Sequence, residues 1–311
     1  MEKRKGKPVI VHWIHAHRDL AVVLLGTSFG LGARLLMLRA DYRQYPAYPH
    51  GMIAHLALGL IAGALGSVAV PALYHNNYTA ITFLSLAAQQ FREVRNMERN
   101  SLEAIDRTEL VSRGPAYIEG VAVVFEGRNY LAIFAALATT LTAFAAGWWA
   151  GIAAGLVSLG VVSRFMRGKS VSHIAKVEEA PIRLEGPNVY VGEVYMMNVG
   201  LEEDRDVIRS RGIGILLTPK NGNGRVTIAN MGQRQAILYD ASVRLGVYRD
   251  DGEPALVPLA KLNLETGQLA VLVLPRERDA SKAVRAIENV PLLEGAIRLP
   301  TVANRRSAEG G

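Results

Sequence analysis

In the stretch 115-PAYIEGVAVVFEGRNY-130 two carboxylates, Glu119 and Glu126, interrupt an otherwise apolar run. They lie seven residues apart, nearly two helical turns. On a helix they would share a face, about 10 Å apart along the axis. Carboxylates so placed could bind a cation, relay protons, or act as acid and base. The same residues also fit a short interfacial helix, with Glu119 near its positive N-terminal end and Glu126 facing water beside Arg128. A structural contact with a partner subunit is a third reading.

The histidines are a second place to look for chemistry. His12, His15 and His17 form HWIHAH, and imidazoles at i and i+3 could hold a metal. Zinc takes four ligands and only Asp19 is near, so no metal is expected. His50, His55 and His75 fall at the ends of membrane-like segments, where histidine is ordinary. Gly222-Asn223-Gly224 lacks the GxxxxGK[ST] phosphate loop and reads as a turn. GxSxG and HExxH are absent from the chain, so no catalytic residue and no cofactor is assigned. With no cysteine among 311 residues, disulfides, thiolate metal sites and cysteine nucleophiles are excluded.

The elements that would position these residues are mostly membrane-like. Half the chain is hydrophobic, and the mean hydropathy is +0.16. The apolar residues come in runs near the roughly 20 residues needed to cross a hydrocarbon core. Spans are expected at 20–38, 51–74, 130–146 and 149–165. The last two divide the uncharged stretch 129–162 at Gly147-Trp148-Trp149-Ala150-Gly151, paired tryptophans that suit a turn at the interface. Residues 1–19 lack the apolar core of a signal peptide, so the first span is read as retained. Arg34 lies one turn from the end of that span, where its stem can rest in lipid while the guanidinium reaches the headgroups. Between the second and third spans, residues 79–110 read as one amphipathic helix along the cytoplasmic face. Pro115 suits the first position of the next helix.

The net charge is +7, and its distribution orients the spans. Basic residues cluster before the first span, between the second and third, and after the fourth. The positive-inside rule then puts both termini in the cytoplasm of a multi-pass cell-membrane protein. Basic residues are not interleaved with stacking aromatics, so nucleic acid is not an expected partner.

From 170 to 300 the pattern is that of a small α/β domain. Strands are expected at 188–199, 213–217, 226–229, 256–264 and 268–274, and helices at 233–245 and 280–288. The polar tail 301–311 is expected to be disordered. The fold class is therefore an α-helical membrane domain of about four transmembrane helices followed by a small cytoplasmic α/β domain. Gly26 and Gly30, Gly59 and Gly63, and Gly147, Gly151 and Gly155 recur at GxxxG spacing, which lets helices approach closely. They read as packing faces within a bundle, or between copies in a homo-oligomer.

The hexapeptide Tyr117-Ile118-Glu119-Gly120-Val121-Ala122 resembles the signature of the YIEGIA family of bacterial membrane proteins, with Val121 in place of isoleucine. The layout, membrane helices followed by a soluble domain, is similar as well. The resemblance implies an endospore-forming host and a role in sporulation, in spore envelope assembly. It supplies no catalytic residues, and Tyr117, Glu119 and Gly120 carry over only as motif positions. The sequence thus favours a non-enzymatic scaffold or sensor in contact with membrane lipid and with a protein partner at the cytoplasmic face. The alternatives are a transporter or channel component using Glu119, Glu126 and Arg34, and a membrane-bound enzyme acting on lipid or envelope precursors.

Overall fold

The computed structural model describes residues 18–41, 49–165, 169–250, 253–254, 256 and 258–297. The chain divides into two compact units, one from Met1–Met97 with Phe125–Arg167, the other from Glu98–Val124 with Gly168–Gly311.

The first unit is helical. It contains α1 (Arg18–Asp41), α2 (Pro49–Tyr74), the first part of α3 (Tyr78–Asp106), most of α4 (Pro115–Ala146) and α5 (Trp148–Phe165). Three of these, α1, α2 and α4, are long and apolar enough to cross a membrane, and α5 is a shorter apolar helix. The helices pack closely because glycines face backbone. A Cβ on Gly30 would lie 2.7 Å from the Gly63 Cα and 3.0 Å from the Ala132 carbonyl oxygen. One on Gly63 would lie 2.9 Å from the Thr27 carbonyl oxygen.

Contacts at both ends of α1 fix the helix directions. Near its start Asp19 meets His75, and Arg18 donates to the Phe144 carbonyl at 3.0 Å. Near its end Arg34 meets His55 and lies over the Phe125 ring. So α2 and α4 both run opposite to α1. Alternating four-span order would set α1 and α4 in the same direction, and the structure corrects that expectation. The cause is α3. Asn76, at φ 49°, and Asn77, whose side chain accepts from the Ala80 N–H, reverse the chain after α2. Helix α3 then runs alongside α1 instead of lying flat on one face. Its Phe91 and Val94 join Ala33, Met37, Ala62, Phe125 and Ala132 in one buried cluster. Helix α5 also runs with α1, its Gly155 against the Phe29 ring and its Leu159 beside Gly32.

Helix α4 begins at Pro115, not near 130, so the YIEGVA segment and the third span are one helix of 32 residues, about 48 Å long. Gly147, at φ 94°, supplies the left-handed position that parts α4 from α5, a conformation cheap only for glycine.

The second unit is α/β. Its main sheet has the order β1-β5-β9-β8, built from β1 (Ala175–Ala180), β5 (Ile213–Pro219), β8 (Leu259–Leu262) and β9 (Leu269–Val273). All pairs are antiparallel. Strand β9 is buried at every position, so both faces are covered. On one face Ala270 and Leu272 share a core with Val189, Val191 and Met196 of a second sheet, β2-β3-β4. These strands are β2 (Ile182–Glu185), β3 (Asn188–Val191) and β4 (Val194–Asn198). A two-residue pair, β6 (Arg249–Asp250) with β7 (Glu253–Pro254), stands apart. The helices are the four-residue α6 (Val171–Ile174), α7 (Glu202–Arg211), α8 (Gly222–Ala229), α9 (Met231–Leu245) and α10 (Ala280–Glu288).

Several elements differ from the sequence pattern. The run 188–199 is a hairpin, β3 and β4, turning at Gly192 and Glu193. The expected strand 226–229 is the end of α8, and Gly222–Gly224 is that helix's first turn. There the Asn221 side chain accepts from the Gly224 N–H at 2.8 Å, a cap that outweighs the β-branched Val226, Thr227 and Ile228. Helix α7 carries no apolar stripe. Acids in its first turn, arginines in its last and ion pairs joining Glu202 to Arg205 and Arg209 hold it.

Candidate functional site

The signature segment is spent on packing inside the α/β unit. Tyr117, Ile118, Val121 and Ala122 are all buried. The approach to them is a turn built by one carboxylate. Asp106 accepts from the Arg113 N–H at 2.6 Å, the Gly114 N–H at 3.2 Å and the Ser112 hydroxyl at 2.7 Å. Gly114, at φ 78°, closes the turn and lies against the Gln235 side chain. Gln235 of α9 in turn accepts from the Tyr117 N–H at 3.1 Å. That N–H belongs to the first turn of α4, which has no partner within its own helix. Gly232 of α9 meets the Ala116 carbonyl, and Gly120 faces Leu293. Gln233 fixes the same loop, accepting from the Leu293 N–H at 2.8 Å and donating to the Pro291 carbonyl at 3.2 Å. The signature is thus a joint between the start of α4, helix α9 and residues 290–293.

A buried charged cluster adjoins the joint. Arg113, only 1% exposed, stacks over the Tyr239 ring at 4.2 Å. Its Nη2 donates to the Tyr239 hydroxyl at 2.5 Å and reaches Glu109 at 3.4 Å. Tyr239 also donates to Glu109 at 3.3 Å, and burial, with the Arg113 charge opposing, pushes its hydroxyl up to about 12. Tyr117 and Tyr239 meet edge to face with centroids 6.1 Å apart. Asp240 is 8% exposed. Burial raises its carboxyl from 3.8 to about 6, against the opposing pull of Arg244 and Arg113.

That shift gives a pH-dependent expectation. The folded chain binds the Asp240 proton more tightly than the unfolded chain does. Its stabilising contribution is therefore full below about pH 4 and lost as pH rises through about 6. Replacing Asp240 with asparagine should stabilise the detergent-solubilised protein at pH 7.5, by at most about 3 kcal/mol. The gain should vanish at pH 4, as read from denaturant midpoints at the two pH values.

The two glutamates of the signature helix fall in different compact units. Glu119 is half-buried at the joint. Glu126 does not face water beside Arg128. It pairs with Arg95 of α3 at 3.8 Å and accepts from the Tyr130 hydroxyl at 3.2 Å, while Arg128 is itself buried. Arg34 is the larger correction, being fully buried where a headgroup-seeking side chain was expected. Gly59, whose Cβ would lie 2.6 Å from the Arg34 Cγ, makes room for its stem. Its Nη2 donates to His55 Nδ1 at 2.9 Å, so the His55 proton belongs on Nε2. The guanidinium stands 4.8 Å from the Phe125 centroid, and His55 meets the same ring edge to face.

His12, His15 and His17 lie outside the described residues, and His50 falls in the first turn of α2. Among the described residues no group of three metal-ligating side chains occurs. Of the glycines, Gly26 faces Thr140, Ser67 and Ala136, and Gly151 faces Ala143. Gly30, Gly63 and Gly155 pack as described. Gly147 differs, with open space around it and the turn conformation as its role. Arg113, Gln233, Gln235, Tyr239 and Asp240 were not found from the sequence. The available signal was on α9, where Gln233 and Asp240 interrupt the buried stripe Ala236, Ile237 and Ala241, polar groups that need partners.

A family model described as YIEGIA protein matches residues 22–303. A Bacillus subtilis (strain 168) protein, described as uncharacterized protein YphB, is 52% identical over 279 residues, covering 90% of this chain and 94% of its own. No solved structure matches the chain. With its signature at 117–122 and the family model spanning nearly all of it, the chain belongs to the YIEGIA protein family.

Proposed function

We propose that the protein is a multi-pass membrane scaffold or sensor, non-enzymatic, that presents its α/β unit to a protein partner at the cytoplasmic face during spore envelope assembly. The observation that carries this reading is the signature itself. Its buried residues hold α4 to α9 and to residues 290–293, the behaviour of a structural joint and not of a lined cleft. Phe83, Phe134, Leu156 and Val157 are more than half exposed on the helical unit, which suits lipid and not water. Read as five crossings of alternating direction, the helices would set the two ends of the chain on opposite faces, where four spans would set them on the same side. The connections after α1, α3 and α5 carry Arg43, Arg107, Arg113, Arg167 and Lys169, whereas the turns α2–α3 and α4–α5 carry no Lys or Arg. Counted over the connecting segments alone, the K/R bias favours the cytoplasm for the face that follows α5, and Lys3, Arg4, Lys5 and Lys7 before α1 weigh against it from the opposite face. The sporulation role rests on the family resemblance.

The test is deletion in a spore-forming host, complemented by wild type and by Glu119→Gln at matched protein levels. Spores of the deletion strain should lose heat and lysozyme resistance, and both genes should restore it. A deletion without phenotype would contradict the role. Rescue by wild type alone would make the Glu119 carboxylate functional. A second reading, a transporter or channel component, draws on the Arg34–His55 pair inside the bundle, since ionisable groups within spanning helices mark pathways by default. It predicts cation or proton flux into proteoliposomes that is lost in His55→Phe. Flux no greater than that of empty liposomes ends it.

A further inference from the structure

Helix α3 turns a polar stripe outward at the depth of the spans. Thr82, Ser85, Gln89, Glu93 and Asn96 recur at steps of three or four residues, so they share one helix face. All five are exposed. Phe91 and Val94, which bury α3 against the other helices, lie on the opposite face at about 100° per residue. The stripe therefore points away from the bundle. Two contacts give its depth. The Asn76-Asn77 reversal starts α3 level with Asp19, which meets His75. Arg95 pairs with Glu126, about 30 Å of helix before α4 ends at Ala146. From Tyr78 to Arg95 α3 rises about 26 Å, close to the roughly 30 Å of a hydrocarbon core. Gln89 stands about 16 Å from Tyr78, near the middle.

Most of the stripe is satisfied locally. Thr82 and Ser85 donate to the Tyr78 and Ile81 carbonyls, each at 2.9 Å, and Asn96 donates to Glu93 at 3.0 Å. The Gln89 amide has no hydrogen-bond partner among the described residues. Facing hydrocarbon, its donors and its acceptor would all go unpaired, which is costly. We propose that a second copy of this chain covers the stripe, in a parallel α3–α3 pair joined through the two Gln89 amides. The proposal rests on the multi-pass reading above, with α3 as a crossing. Copies inserted in one orientation are related by a two-fold axis along the membrane normal, so a residue at that axis meets its own twin. An amide carries both donors and an acceptor and pairs with its twin, which no charged side chain does. Ser85, one turn before Gln89, is small and lets the two helices approach. A crossing centred between Ser85 and Gln89 leaves the Glu93 carboxylates to splay apart near the membrane boundary, where water screens them.

The chain has no cysteine, so single cysteines report contact between copies of the full-length protein in liposomes. Ser85→Cys should form an intermolecular disulfide much faster than Phe83→Cys, which is 75% exposed on another face of α3. Adding Gln89→Leu should raise the protein-to-lipid ratio needed for half-maximal cross-linking by about tenfold, and Gln89→Asn, which keeps the amide, should not. Ser85 and Gln89 are both exposed, so these changes leave the packing within one copy intact. Cross-linking at Ser85→Cys no faster than at Phe83→Cys, or unchanged by Gln89→Leu, overturns the proposal. An impermeant maleimide added to permeabilised liposomes separates that failure from failure of the multi-pass reading. If Ser85→Cys neither cross-links nor reacts with it, α3 crosses the membrane and something other than a second copy covers the stripe. If Ser85→Cys reacts without cross-linking, the stripe faces water, and both the pair and the crossing by α3 are overturned.

Discussion

Gly30→Leu should abolish the folded helical unit. The first added carbon alone would stand 2.7 Å from the Gly63 Cα and 3.0 Å from the Ala132 carbonyl oxygen. Both are backbone atoms of helices pinned elsewhere, so no side chain can swing aside. Overpacking of side chains costs roughly 1–3 kcal/mol. Here two helices must separate, and the dispersion contacts along the α1–α2 and α1–α4 seams are lost together. The variant should be recovered aggregated, or with a melting transition in detergent far below that of the parent. Gly160→Ala is the matched control. Nothing lies within 4 Å of that position, and its effect should stay within about 0.5 kcal/mol. If Gly30→Leu melts like the parent, α1 does not pack on α2 and α4 as described.

Tyr117→Ala should loosen the start of α4 from α9 within the α/β unit. The side chain is 2% exposed and stands between the Tyr239 ring and the Gln235 contact to its own backbone. Removing a buried aromatic ring costs about 3–5 kcal/mol. Tyr117→Phe keeps the ring and should cost less than about 1.5 kcal/mol. The loss is local, so hydrogen exchange in residues 115–124 and 231–240 should accelerate together, while the amides of β5 and β9 stay protected. Uniform protection in the alanine variant would show that the signature does not serve as the joint.

Much of the molecule was legible because its patterns are strong. The apolar runs of α1 and α2, the glycine spacings that pack them, and the helix 280–288 follow directly from periodicity and hydropathy. The reversal at Asn76-Asn77 was not legible. The start of α3, Tyr78–Ala88, is apolar but too short to read as a span, and the partners Ala33, Met37 and Phe125 of that helix lie far away in sequence. Reading that helix along the cytoplasmic face, and not beside α1, inverted the expected direction of α4. The joint was half legible. Tyr117 and Gly120 stood out as motif positions, but their partners Gln235 and Leu293 are more than a hundred residues distant. Arg34 misled because a lone arginine near a span end usually reaches outward. Only the fold brings His55 and the vacancy at Gly59 to it.

The measurement that bears most directly on the account is sidedness. Single cysteines placed at Lys5 and at Glu265 in the cysteine-free chain would be labelled in intact, oriented membranes with an impermeant maleimide, before and after permeabilisation. The account predicts that the Lys5 position is labelled from outside at once and the Glu265 position only after permeabilisation. Labelling of both positions under the same condition would put the two ends of the chain on one face. That result would contradict a five-helix crossing that presents the α/β unit to the cytoplasm.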